Sequence, residues 1–166
     1  MQIDDKLFRD AMSSFPSGVT IVTTVDDEGR SWGFTASAFS SLSCDPPMIL
    51  VCPSNKAECF GAFTAATRFA VNILAPEHEK LAIRFATKGG DKFANGDFVL
   101  GQSGMPILPH ALVALECRLE GFYPGGDHSI LTGIIEHANL HDGEAAVYFR
   151  GKFRSLASPK RTRKLK

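Results

Sequence analysis

The chemistry of this chain is concentrated in two short segments. Residues 33–52 read Gly33-Phe34-Thr35-Ala36-Ser37-Ala38-Phe39-Ser40-Ser41-Leu42-Ser43-Cys44, then a rigid Asp45-Pro46-Pro47 turn, then the apolar run Met48 to Cys52. Small and hydroxyl-bearing side chains leave room beside the backbone and offer many hydrogen-bonding groups. A flat ligand with polar edges can lie there, over a buried floor supplied by the apolar run. Well downstream, Gly126-Asp127-His128-Ser129-Ile130-Leu131-Thr132-Gly133 sets an acid and an imidazole among glycines.

Several familiar chemistries are excluded by spacing. A serine hydrolase needs a G-x-S-x-G elbow, which is absent, and neighbours such as Asp127 and His128 would point to opposite faces of a strand, where they could not orient one another. Cys44, Cys52, Cys59 and Cys117 form no C-x-x-C pair, and His137 and His141 flank a turn signal instead of sharing a helix in an H-E-x-x-H pattern. No metal site is expected. Neither a P-loop nor a G-x-G-x-x-G fingerprint occurs, so a nucleotide must bind through some other architecture.

With 166 residues and 44% apolar content, the chain can bury about 70% of its unfolded surface in one domain. The 18 basic and 18 acidic side chains cancel, so no global field favours nucleic acid or an acidic membrane, and any anion site must be local. Unpaired cysteines imply a reducing compartment. The N-terminus Met1-Gln2-Ile3-Asp4-Asp5-Lys6 lacks a signal pattern and no run reaches membrane-spanning length, so a cytoplasmic location is expected. The domain is placed at residues 1–156, followed by a basic, solvated tail over 157–166.

The elements that must position these segments follow from periodicity. Leu7, Phe8, Ala11 and Met12 predict an amphipathic helix over Asp5 to Ser14. The β-branched run Val19 to Val25, the Asp26-Asp27-Glu28-Gly29 turn and Trp32 with Phe34 predict a hairpin. Met48 to Cys52 is a buried strand, Ser54-Asn55-Lys56 is expected to cap a helix over Ala57 to Ala66, and Phe69 to Leu74 is a further strand. Pro76 opens a helix through Ala86, with Leu81 and Phe85 on one face. A long loop runs from Phe93 to Pro109. Alternation then puts Val113, Leu115, Cys117 and Leu119 inside and Glu116, Arg118 and Glu120 outside. Strands follow over His128 to Leu140 and Ala145 to Phe153. The pattern is mainly β with flanking helices, arranged as an antiparallel barrel.

In order along the chain, Phe15 to Thr23, Gly33 to Ser43 with Asp45-Pro46-Pro47, Arg84-Phe85-Ala86, Gly126-Asp127-His128 and Tyr148 to Phe153 resemble the motifs of the short-chain flavin reductases. These are NAD(P)H:flavin oxidoreductases that feed reduced flavin to two-component monooxygenases. The resemblance implies an FMN-binding split β-barrel with Greek-key-like connections. It further implies a homodimer, a separate monooxygenase partner, FMN or FAD as flavin, and NADH or NADPH as hydride donor.

By position, it implies that Thr35, Ala36, Ser37 and Ala38 meet the isoalloxazine, that Ser40, Ser41, Cys52, Ser54, Asn55 and Lys56 reach the ribityl and phosphate groups, and that Arg84 adds a charge-assisted bond beside Phe85 and Ala86. His128 would position the nicotinamide, with Tyr148 and Arg150 sharing a face to place the dinucleotide. Fixed N–H dipoles suit the density that reduction puts on a flavin's N1–C2=O and N5 edges. Stacking two rings at about 3 to 3.5 Å needs no strong acid or base. The alternatives are a protein that retains its flavin and reduces another small molecule or metal complex, and a non-catalytic flavin-binding module.

Overall fold

The computed structural model describes residues 3–156. The basic tail expected over 157–166 lies outside the described residues.

Helix α1 (Asp5–Ser13) starts where the Asp4 carboxylate accepts the Leu7 N–H at 2.7 Å, an N-cap bond. No residue of α1 is buried. Strands β1 (Ser17–Gly18), β2 (Thr20–Val25) and β3 (Ser31–Ala36) follow, the last two forming the expected hairpin. Strands β4 (Phe39–Cys44) and β5 (Pro47–Val51) form a second hairpin around the Asp45-Pro46 turn, with a register shift between Ser41 and Ser43 that leaves Leu42 exposed.

Helix α2 (Phe60–Ala65) is shorter than the pattern predicts. Ser54 does not cap it: the Ser54 carbonyl accepts the Ala57 N–H in a separate turn, and Cys59 at the true N-cap makes no side-chain bond. Strand β6 (Arg68–Ile73) precedes a 3₁₀ turn (Pro76–His78) and helix α3 (Glu79–Ala86). The long loop contains a small hairpin of β7 (Val99–Leu100) and β8 (Pro106–Ile107). Strands β9 (Val113–Gly125) and β10 (His128–Leu140) make the longest hairpin. The expected closing strand is itself split into β11 (Val147–Phe149) and β12 (Lys152–Arg154), because Arg150 and Gly151 take left-handed turn conformations at φ 48° and 74°.

A seven-stranded antiparallel sheet runs in the order β3-β2-β6-β9-β10-β5-β4. Its edge strands β3 and β4 are joined by the corner at Ser37-Ala38, which carries the chain from one edge to the other, and the Cys52 N–H bonds the Ala38 carbonyl at 3.1 Å. That corner closes the sheet into a barrel with a split. Alternate residues fill its interior: Val22, Phe34, Ala36, Ile49, Val51, Phe69, Val71, Leu115, Cys117 and Leu131, plugged by Phe63 of α2.

A second core forms outside, where α3 packs Leu81, Ala82 and Phe85 on Val19 and Ile21. Both faces of β2 are therefore dry, which its unbroken β-branched run permits. Gly33 is required where α3 crosses β3, since a Cβ there would lie 2.8 Å from the Phe85 ring and 2.9 Å from the Val22 carbonyl.

Strand β9 departs from simple alternation. Glu116 is fully buried, because the loop carrying Gln102 and Ser103 folds over that face of the sheet. Its carboxylate accepts the Gln102 N–H at 3.0 Å, the Ser103 N–H at 2.6 Å and the Ser103 hydroxyl. Burial, the largest influence, pushes the carboxyl up, but these donors together with the nearby His137 hold it below its ordinary value.

Candidate functional site

Three segments distant in sequence meet at one rim of the barrel. The Ser37-Ala38 corner contacts Cys52 through the backbone bond above. The chain after Cys52 is then tied to the β9–β10 turn: Ser129 N–H donates to the Pro53 carbonyl at 3.0 Å, Asn55 N–H to the Asp127 carbonyl at 3.0 Å, Asn55 Nδ2 to the Gly126 carbonyl at 3.1 Å, and Ser129 Oγ to Asn55 Oδ1 at 2.7 Å. Ser54 pairs with His128 as an isolated bridge. The result is a shelf whose exposed residues include Ser37, Ala38, Ser40, Ser41, Asn55, Lys56, Asp127 and His128. Small side chains and exposed hydroxyls fit a planar, polar-edged cofactor at this place.

Asp127 and His128 do orient one another, contrary to the strand-based expectation. Gly126 (φ 78°) and Asp127 form the turn, so only His128 obeys strand alternation, and its Nδ1 lies 2.8 Å from Asp127 Oδ1. The hydrogen bond from His128, then its charge, holds the Asp127 carboxyl below the usual range, with Lys56 contributing. Asn55 anchors the turn on its other side. Asn55, expected with its neighbours at the ribityl and phosphate groups, uses one amide hydrogen on the Gly126 carbonyl and its Oδ1 on Ser129.

The other sequence-predicted residues lie beyond that shelf, with Ser37 bordering both places. Thr35, Ser37, Ala86 and Tyr148 line a cavity of about 250 Å³ with Val19, Ala82, Ile83 and Phe153, between β3, α3 and the β11–β12 hairpin. The Thr35 hydroxyl donates to the Ala82 carbonyl at 2.6 Å, which fastens α3 to β3. Ala36 points into the barrel core. The Phe85 ring is buried between Phe93 and Phe98, at centroid distances of 5.1 and 5.3 Å, and is a core residue. Arg84 holds Asp97 at 2.6 Å and the Lys92 carbonyl at 3.2 Å, so part of its guanidinium fork fastens the following loop. Arg150 does not share a face with Tyr148, because its turn conformation breaks the alternation, and its guanidinium sits 5.2 Å from the Phe149 ring centre.

A larger cavity of about 750 Å³ contains none of the expected cofactor- or nicotinamide-binding residues, although Gly33, the first residue of the Gly33 to Ser43 segment, lies in its wall. It is lined by Arg30, Ser31, Trp32, Gly33, Glu58, Cys59 and the run Gly89 to Phe93. The run Gly89-Gly90-Asp91-Lys92, shortly after α3, carries no chemical assignment from the sequence.

Neither the buried Cys59 and Cys117 nor the half-buried Cys52 offers a nucleophile. Burial pushes Cys52 and Cys59 up, and Cys117, buried near Glu136 and Glu116, up to about 12.

Residues 12–157 match the flavin reductase like domain model. The chain belongs to the flavin reductase family. The chain is 42% identical to a protein of Streptomyces coelicolor named actinorhodin polyketide dimerase, over 95% of this chain and 90% of that one. It is 34% identical to the reductase subunit HsaB of a flavin-dependent monooxygenase of Rhodococcus jostii, over 95% and 81% respectively. Among solved structures, the NADH:FAD oxidoreductase SgcE6 of Streptomyces globisporus, crystallised with NAD and FAD fragments, superposes with a TM-score of 0.89 at 34% identity, covering 96% of this chain and 99% of that one. The mostly antiparallel β architecture of this flavin reductase is shared with those structures. No helix among the described residues is long and apolar enough to cross a membrane.

Proposed function

We propose that this flavin reductase uses NADH or NADPH to reduce FMN or FAD and releases the product to a separate monooxygenase. The observation that carries the reading is the convergence of Ser37-Ala38, Cys52 to Asn55 and Gly126 to His128 on one rim, since the chain thereby sets small residues beside a positioned imidazole. Bound flavin supplies hydride acceptance at N5 from C4 of the nicotinamide. The protein's own work is placement. Backbone groups at Ala36 to Ala38 and the Ser37 hydroxyl orient the ring edge, Ser40, Ser41, Ser54 and Lys56 hold the ribityl and phosphate groups, and His128, fixed by Asp127, holds the nicotinamide carboxamide. Lys56 and the free donors of Arg84 supply positive charge for the phosphate.

The protein works as a cytoplasmic homodimer on this reading. Leu7, Phe8 and Met12 of α1 and the adjoining Phe15 are all exposed, and an amphipathic helix with no buried residue suits a second copy. Replacing Phe8 and Phe15 by Asp should convert dimer to monomer in light scattering; a native monomer would remove the dimer from the account.

The test of the site is Ala38→Trp. Ala38 is exposed, so the fold should survive by circular dichroism while the indole fills the corner and flavin affinity falls more than about tenfold. Unchanged flavin binding would contradict the reading. The relative named a polyketide dimerase favours a second reading, in which the flavin is retained and serves a reaction on another small molecule. Flavin that stays with the protein through exhaustive dialysis would support that alternative over exchange.

A further inference from the structure

The turn between β9 and β10 is governed by a side chain from outside the hairpin. Gly126 and Asp127 form a two-residue loop, since His128 pairs with Gly125. Gly126 takes φ 78°, and Asp127 keeps a negative φ, because Arg150 alone among the described non-glycine residues has a positive one. Positive then negative φ, with glycine first, is a type II′ hairpin turn. Reversing the peptide between the two residues gives type I′, which needs positive φ at both positions. Aspartate tolerates that conformation, so the local sequence admits either turn.

Asn55 discriminates between them. Its Nδ2 donates to the Gly126 carbonyl at 3.1 Å, and its backbone N–H to the Asp127 carbonyl at 3.0 Å. In type I′ the Gly126 carbonyl points the opposite way and loses its donor. The amide cannot turn over, because the hydroxyl of buried Ser129 donates to Asn55 Oδ1 at 2.7 Å and thereby directs the nitrogen at the turn. The effect reaches the imidazole. A carboxylate only accepts, so Asp127 Oδ1, 2.8 Å from His128 Nδ1, puts the hydrogen of a neutral ring on Nδ1 and leaves Nε2 as an acceptor. A change in the sign of φ at Asp127 re-aims its Cβ and takes the carboxylate off that line.

We propose that Asn55 is a positioning residue for the hydride donor: its amide holds the Gly126–Asp127 peptide in the turn that aims Asp127 at His128, and so presents His128 Nε2 to the N–H of a carboxamide. The service to the donor rests on the rim reading. The control of the imidazole does not.

Nitrogen NMR of the full chain, without flavin or NADH, reads the imidazole directly at a pH where the ring is neutral, with the His128 signals assigned by their loss in His128→Ala. The wild type should show the Nδ1–H tautomer. Asn55→Asp keeps the acceptor for Ser129 but loses the donor to Gly126, and Asn55→Ala loses both. Each should shift His128 toward the Nε2–H form that an unrestrained imidazole favours, with the fold retained by circular dichroism because Asn55 is exposed. In kinetics, Asn55→Asp should raise the KM for NADH about threefold at unchanged kcat and flavin affinity, and should add nothing in a His128→Ala background. An unmoved tautomer in both variants overturns the proposal, while a raised KM in His128→Ala would still leave the rim reading in place. Additive effects of Asn55→Asp and His128→Ala, or weakened flavin binding with the KM for NADH unmoved, would give Asn55 a ligand contact of its own and overturn action through the imidazole. A shifted tautomer with NADH kinetics unchanged in both Asn55→Asp and His128→Ala would uphold the hold on the ring and discard its service to the donor together with the rim reading.

Discussion

Glu116 and Asp127 are carboxylates of the same long β9–β10 hairpin, and they live in opposite conditions. Glu116 is sealed inside, saturated by donors from Gln102 and Ser103. Asp127 stands in water at the rim with one imidazole partner and an exposed lysine near it. A buried carboxylate whose acceptors are filled by the chain has nothing left to offer a ligand, and its work is to pin a loop. An exposed one that orients a histidine leaves that ring's other nitrogen available. The hairpin thus carries structural polarity at its covered section and functional polarity at its tip.

The largest effect expected from breaking this contrast is at the covered section. Glu116→Ala should orphan the Gln102 and Ser103 donors and destabilise the fold by about 3 kcal/mol, read by denaturant unfolding, with nicotinamide KM in the folded fraction unchanged. A stability within error of the wild type would deny the carboxylate its anchoring role. At the tip the opposite pattern is expected: His128→Ala should raise the KM for NADH by about tenfold, with unfolding midpoint and flavin affinity unaltered. Equal kinetics with NADH would remove His128 from the donor site.

Asp127→Asn sharpens the comparison further. It keeps the shape but loses the charge that orients the imidazole, and a rise in KM of only about threefold is expected; an effect as large as that of His128→Ala would make Asp127 a direct contact. Arg84→Ala should be smaller still in stability, under about 1 kcal/mol, because its pair with Asp97 is partly exposed. It should weaken FMN more than riboflavin if the remaining donors reach phosphate, and equal weakening would confine Arg84 to the loop.

The pH arm follows from the sign of the shifts. Glu116 titrates below its ordinary value in the fold, so its stabilising contribution is complete above the unfolded carboxylate pKa and is lost as pH falls through the lower, folded one. Acid unfolding of wild type should therefore steepen below the ordinary glutamate range, and Glu116→Gln should flatten that limb. An identical acid limb in the variant would place the acid sensitivity elsewhere.

Much of this architecture was legible in the sequence because its determinants are local. Gly29 and Gly126 mark the hairpin turns, β-branched runs mark doubly buried strands, and Leu81 with Phe85 marks the packed face of α3. What failed depended on contacts far along the chain. Alternation placed Glu116 in solvent because nothing in β9 announces that residues 101–103 fold over it. The sequence starts the strand at His128 with Asp127 in the preceding turn, as observed, but the opposite-faces rule for strand neighbours does not apply across that boundary, and Asp127 reaches the His128 ring. Ser54-Asn55-Lys56 has cap-like composition, yet Ser54 closes a local turn with Lys56 and Ala57 and Asn55 is tied to the β9–β10 turn, a pairing that only the closed barrel creates. Phe85 carries a family-like motif while its ring serves the core, because Gly33 admits it against β3.

The central claim is that the rim built from Ser37-Ala38, Cys52 to Asn55 and Gly126 to His128 is where nicotinamide reduces flavin. Anaerobic mixing of the purified protein with NADH and varied free FMN or FAD, followed by oxidised-flavin absorbance, tests it most directly. The account predicts bleaching whose rate scales with added flavin and which demands more NADH in His128→Ala at unchanged flavin affinity. Tight flavin binding without bleaching would contradict it and leave a non-catalytic flavin-binding module.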